Sequence, residues 1–186
     1  MKQYSMEDDV LRPLYTKEEI AEVVHRIGAQ ITADYADAYE EGIILVCVLR
    51  GAAIFMSDLA REIDLPTEMD YMVVSSYGNS AKSSGVVSII KDLSSTIEDR
   101  HVVIAEDILD SGLTLSYLLK MLETRNPKSL TVATLLRKDR PDQADVNCRY
   151  TGFVCPDEFI IGYGLDYAEK YRNLPYIGVL KPEIYQ

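Results

Sequence analysis

Apolar residues recur along this chain with two different periods. Ile20, Val23, Val24, Ile27 and Ile31 fall three or four positions apart, the spacing of one helix face. Thr16-Lys17-Glu18-Glu19 has the form of a capping box, so the helix starts there, and Gly42 is its predicted end. Residues 43–49 are continuously apolar and predict a strand buried on both faces. Arg50-Gly51-Ala52 then turns into a helix carrying Ile54, Phe55, Leu59 and Ile63. Residues 69–75 predict a strand, 75–85 a mobile segment rich in Ser, Gly, Asn and Lys, and 86–90 a short returning strand. A buried strand at 102–105, a helix at 113–122 and a strand at 130–136 follow. Phe159-Ile160-Ile161 and a closing strand at 176–180 complete the pattern. Strands alternating with helices predict an α/β fold with a mainly parallel sheet flanked by helices, whose ligands bind at the C-terminal strand ends.

The candidate chemistry clusters at those ends. After the apolar run 102–105 come Glu106 and Asp107, then Ile108-Leu109, then Asp110-Ser111-Gly112-Leu113-Thr114. Hydroxyls, a flexible Gly and the unpaired N–H groups of a helix N-terminus form a phosphate site. Two adjacent carboxylates beside it suit the vicinal hydroxyls of a ribose or a hydrated Mg²⁺. The unit is neither a Walker A loop nor a GxGxxG turn, so ATP and dinucleotides are not implied. Arg50, Ser76, Glu106 and Lys138 all fall at predicted strand ends.

The 106–114 segment resembles the phosphoribosyl-pyrophosphate (PRPP) motif of type I phosphoribosyltransferases, and most of all the bacterial-type hypoxanthine-guanine branch. The resemblance covers nearly the whole chain from the first helix onward. It implies a single phosphoribosyltransferase domain over 1–186, with a Rossmann-like core at about 16–140 and a small hood from the N-terminal residues and about 150–186. It also implies roles. Glu106 and Asp107 orient the ribose hydroxyls directly or through Mg²⁺; Asp110, Ser111, Gly112, Leu113 and Thr114 grip the 5′-phosphate; Asp110 is the catalytic side chain at purine N7. Leu49-Arg50-Gly51 corresponds to the pyrophosphate loop, where the family often has a non-proline cis peptide, and Arg172 is a second pyrophosphate contact. Ser76 and Tyr77 correspond to the pair on a loop that closes over the reacting centre. Lys138 recognises the exocyclic oxygen of a 6-oxopurine, Phe159 stacks on the ring and the Ile160 backbone reads its edge. Asp166 holds a second Mg²⁺ or the base edge. At Leu113 some relatives carry Lys, so phosphate binding here rests on amides and hydroxyls.

The implied reaction moves a 5-phosphoribosyl group from PRPP to N9 of hypoxanthine or guanine in purine salvage. Alternatives are a xanthine-guanine preference, or a non-catalytic PRPP- or nucleotide-sensing regulator. A homodimer or homotetramer is the implied assembly.

Composition narrows the picture further. At 186 residues, 47% hydrophobic and 26% charged, the chain supports one substantial core. A formal net charge of -11 argues against nucleic acid or anionic membrane as a partner. It also means that anionic PRPP needs local cations. No apolar run reaches spanning length, and the polar, acidic start Met1–Asp9 is unlike a signal peptide. Three cysteines without framework spacing predict free thiols in a cytoplasm, with Cys47 in the core. His25 and His101 lack metal-ligand spacing and are read as structural.

Overall fold

The computed structural model describes residues 5–76 and 87–186. In chain order the elements are β1 (Val10–Tyr15), α1 (Lys17–Asp34), β2 (Ile43–Leu49), α2 (Ala53–Glu62), β3 (Thr67–Ser76), β4 (Val87–Lys91), β5 (His101–Leu109), α3 (Leu113–Glu123), β6 (Ser129–Lys138), β7 (Cys148–Cys155), β8 (Ile160–Ile161), β9 (Ile177–Leu180) and the short α4 (Pro182–Tyr185). Six strands form the main sheet in the order β4-β3-β2-β5-β6-β7. All neighbours are parallel except β3 and β4. The remaining three form an antiparallel sheet, β1-β9-β8. The expected parallel α/β sheet is present, and Ile160, Ile177 and Val179 of the small antiparallel sheet pack in one cluster with α1, α2 and β2.

Burial explains the central strands. Ile43 to Cys47 in β2 and Val102 to Ala105 in β5 have no exposed surface. Alternate residues serve opposite layers: Val103 and Ala105 pack in the cluster with α1 and α2, Val102 and Ile104 in the cluster with α3. Each such Val or Ile contributes about 1.5–3 kcal/mol by leaving water. The chain lays down β2, β3 and β4 on one side, then returns to lay β5, β6 and β7 on the other. The order therefore reverses between β2 and β5, and the crevice at their C-terminal ends is where such sheets bind ligands.

The capping box opening α1 is formed as read. Thr16 N–H donates to Glu19 Oε2 at 2.8 Å and Glu19 N–H donates to Thr16 Oγ1 at 3.2 Å. Gly42 does not end this helix. It stops at Asp34, a short 3-10 turn at Ala36–Ala38 intervenes, and Gly42 accepts the turn's closure into β2 with a φ of +68°. β5 also outruns its predicted end, because Glu106, Ile108 and Leu109 pair with Thr134, Leu136 and Arg137 of β6. The acidic pair thus lies within the strand, not after it. β7 lies in a stretch assigned partly to the hood, yet it is the edge of the main sheet.

Cys47, Cys148 and Cys155 are free, and burial pushes the Cys47 thiol up to about 12. His101 Nδ1 contacts Ser129 Oγ at 2.7 Å at the opposite end of β5 from the acids, and His25 Nδ1 contacts Glu62 at 2.7 Å. No helix among the described residues is long and apolar enough to cross a membrane.

Asp70, buried on β3 at 4% exposure, ties that strand to the turn after β4. Its carboxylate accepts the N–H groups of Ser94 at 2.7 Å, Ser95 at 2.9 Å and Tyr71 at 2.7 Å, with Lys91 Nζ 3.5 Å away. Burial alone raises its pKa, but those hydrogen bonds and Lys91 outweigh it and hold the carboxyl below its ordinary value. Asp70 therefore stabilises the fold above about pH 4, the unfolded value, and this contribution disappears as pH falls through the lower folded value. Asp70→Asn should cost about 1–3 kcal/mol in urea unfolding at pH 7. The gap between variant and parent should narrow on acidification.

Candidate active site

The period-two alternation of β5 separates its two carboxylates. Glu106 points toward α3, into a hollow of about 140 Å³ shared with Asp110, Ser111, Gly112 and Thr114. Asp107 points the other way, against the turn after β2. A Cβ on Gly51 would fall inside the Asp107 carboxylate, so only glycine lets the turn approach this closely. The peptide joining Leu49 to Arg50 is cis. Gly164, at φ +102°, presses on the Gly51 carbonyl from the segment between β8 and β9. Three distant stretches thereby meet at one point.

Both carboxyls are held above their ordinary values. For Glu106 the cause is burial, then the Asp107 charge. For Asp107 it is burial, opposed by the Ile108 N–H at 2.8 Å and by Arg172, and reinforced by Asp166. Glu106 Oε2 is buried and has no hydrogen-bond partner among the described residues. A larger hollow of about 450 Å³ lies between α1 and α2, beside Lys17, Asp58 and Tyr163, but it carries neither the paired acids nor the phosphate loop.

The phosphate loop has the expected form. Gly112 precedes α3 at φ +74° and no side chain caps that helix well. The nearest substitute is a 3.5 Å contact from Leu113 N–H to Ser111 Oγ. First-turn amides are thus left for an anion. Leu113 itself is exposed and adds no charge. Asp110 does not cap the helix. Its Oδ2 lies 3.2 Å from Lys138 Nζ, and its Oδ1 accepts from Arg140 Nη1 at 3.0 Å. Lys138, at the end of β6, also donates to Asp157 at 2.9 Å. Burial lowers the Lys138 pKa, but the two carboxylates outweigh it and raise the value.

On the other flank, Arg172 donates to the Gly164 carbonyl at 2.8 Å and pairs with Asp166 at 2.8 Å. Asp166 also accepts the Glu169 N–H at 2.9 Å. Glu169 joins the two pyrophosphate candidates, lying 2.9 Å from Arg50 and 3.3 Å from Arg172. Ile160 is anchored in β8 opposite Val179. Phe159 is 37% exposed, stacked on Tyr185 with centroids 4.8 Å apart and edge-on to Tyr167 at 5.5 Å. Ser76 closes β3, and Tyr77 lies outside the described residues.

Several residues in this arrangement were missed from sequence: Arg140, Gln143, Asp157, Glu169 and Tyr185. Glu169 sits three residues before Arg172, a visible pairing distance. The others come from loops or from the C-terminal turn, where no periodicity marks a side chain as inward.

A phosphoribosyl transferase domain model matches residues 13–168. The chain belongs to the phosphoribosyltransferase family. A hypoxanthine-guanine phosphoribosyltransferase of Bacillus subtilis is 51% identical over 181 residues, covering 97% of this chain and 99% of the relative. One from Mycobacterium avium is also 51% identical, covering 96% of this chain and 89% of its own. A hypoxanthine phosphoribosyltransferase crystal structure from Staphylococcus aureus superposes with a TM-score of 0.92 at 45% identity, over the full length of both chains. These matches place this phosphoribosyltransferase in the hypoxanthine-guanine branch.

The Gly51–Asp107 contact yields a direct test. Gly51→Ala should destabilise the protein by about 1–3 kcal/mol through overpacking, read from chemical unfolding. Displacing Arg50 and Asp107 should also cut phosphoribosyl transfer by about 100-fold.

Proposed function

We propose that this enzyme transfers the 5-phosphoribosyl group of PRPP to N9 of hypoxanthine or guanine, with Asp110 as the catalytic side chain and Lys138 as the base selector. The observation that carries the assignment is the meeting of three groups at the β2–β5 switch point: the acidic pair, the phosphate loop, and the Asp110–Lys138 pair at 3.2 Å.

The 5′-phosphate binds the amides at the start of α3 with the hydroxyls of Ser111 and Thr114. Glu106 and Asp107 accept the ribose hydroxyls. Arg50 and Arg172 hold the pyrophosphate, exchanging Glu169 for it. Lys138 can only donate hydrogen bonds, so it favours an exocyclic oxygen and disfavours the amino group of adenine. Phe159 offers an aromatic face to the base, braced from behind by Tyr185. Asp110 lies where it can hold or take up the proton at purine N7. The family resemblance gives Ser76 and Tyr77 the role of a closing pair that excludes water, and Tyr77 lies outside the described residues.

The donor set fits Mg²⁺. Glu106 Oε2 is buried without a hydrogen-bond partner among the described residues, and two adjacent carboxyls are destabilised as anions. Among the described residues no three-ligand cage exists, and Mg²⁺ ordinarily takes one or two carboxylates with substrate oxygens and water. Glu106 on one face of β5, and Asp107 with Asp166 on the other, would hold such ions together with substrate oxygens and water; when bound, they supply neutralisation of the substrate's diphosphate charge. The free cysteines support a cytoplasmic setting, and a homodimer or homotetramer is the assembly the family resemblance implies.

An ultraviolet assay with PRPP and separate purine bases tests the reading. Hypoxanthine and guanine should turn over, adenine should not, and chelation of Mg²⁺ should stop the reaction. Asp110→Asn should lower kcat by about 10²–10⁴-fold. Full turnover in that variant would remove Asp110 from the chemistry.

A further inference from the structure

The ladder between β5 and β6 ends at the pair Leu109–Arg137. Asp110 lies one residue beyond it, and Lys138 is held on its far side by β7, opposite Cys155. The two residues assigned to proton handling and base selection are therefore not fixed to each other by the sheet. One side chain bridges the gap. Gln143 Nε2 donates to the carbonyl oxygens of Leu109 at 3.1 Å, Asp110 at 2.7 Å and Lys138 at 3.1 Å. Its Oε1 accepts from Arg137 Nε at 2.8 Å. Because Arg137 can only donate, the amide orientation is determined: oxygen toward Arg137, nitrogen toward the three carbonyls. Next to it, Ala144 N–H donates to the Ser111 carbonyl at 2.8 Å, and Ala144 and Val146 pack where a Cβ on Gly112 would reach.

We propose that Gln143 is a positioning residue that locks Asp110 and Lys138 at a fixed separation, so that one purine ring meets both. It takes the place of the missing ladder pair. The two side chains serve different atoms of one bicyclic ring, and a mutual shift of about 1 Å costs a reaction on the order of 100-fold. The hydrogen-bond partners of Gln143 are Arg137 and three backbone carbonyls. It acts through backbone carbonyls, and none of its hydrogen bonds goes to residues 111–114, where the amides and hydroxyls of the 5′-phosphate site lie.

The inference rests on the roles given above to Asp110 and Lys138, so Asp110→Asn is run beside it. Gln143→Glu keeps the shape and the Arg137 contact but replaces the donor with an anion facing three carbonyls. It should raise KM for hypoxanthine and lower kcat, reducing kcat/KM by about 10–100-fold, while calorimetric Kd for PRPP with Mg²⁺ stays close to the parent value. Should Gln143→Glu fail to fold, Gln143→Ala carries the same expectation without the added charge. Parent-like kinetics in the variants that lack the donor would overturn the proposal. So would a loss of PRPP affinity equal to the loss of activity, since that marks a general loop defect. If Asp110→Asn is impaired and the Gln143 variants are not, only the positioning role fails. If Asp110→Asn is fully active, the catalytic reading itself fails.

Discussion

Two adjacent carboxylates lie within β5, a central strand of the sheet, and the candidate site is organised around accommodating them. A charged group in a low-dielectric interior is costly unless hydrogen bonds or opposite charges compensate it. Asp107 has partial compensation from the Ile108 amide and from Arg172. Glu106 has an oxygen with none. A glycine at 51 leaves the space that the Asp107 carboxylate occupies. The fold thus holds the pair with its charge only partly compensated, and under the proposed function ribose hydroxyls or a cation supply the rest.

The cations of the site follow a complementary rule. Arg50 and Arg172 share Glu169, and Lys138 lies between Asp110 and Asp157. In a chain of net charge -11 each positive group has an acidic neighbour already. Under the proposed function, binding a polyanionic sugar phosphate exchanges those partners. The proposed 5′-phosphate site differs, since it offers backbone amides at the start of α3 and has Leu113 where a Lys could stand.

Much of this was legible in the chain. The apolar runs of β2 and β5 announce central parallel strands because both faces are buried. The Glu106 to Thr114 segment is contiguous, so its chemistry is readable from spacing alone. β1 gave no such signal: Pro13 and two register irregularities interrupt it. β7 is an edge strand with Arg149, Thr151 and Gly152 in its middle, so no clean alternation appears. The extension of β5 through Glu106 and Asp107 was hidden because polar residues normally end a buried strand; pairing with β6 overrides that preference. Gln143 and Asp157 were invisible for a topological reason, since they matter only after β6 and β7 bring their loops over Asp110.

The pairing of β1 with β9 has a consequence for the chain as it is made. β1 has a single neighbour in its sheet, and that neighbour is Ile177–Leu180. On a ribosome the first strand waits unpaired while the whole main sheet is synthesised and can assemble. Its apolar Leu11 and open edge are exposed to other chains meanwhile, a hazard typical of non-local pairing. The nascent chain thus completes the 106–114 loop early and the segment carrying Phe159, Asp166 and Arg172 last, so a ribosome-bound intermediate lacks groups proposed for both the purine and the pyrophosphate.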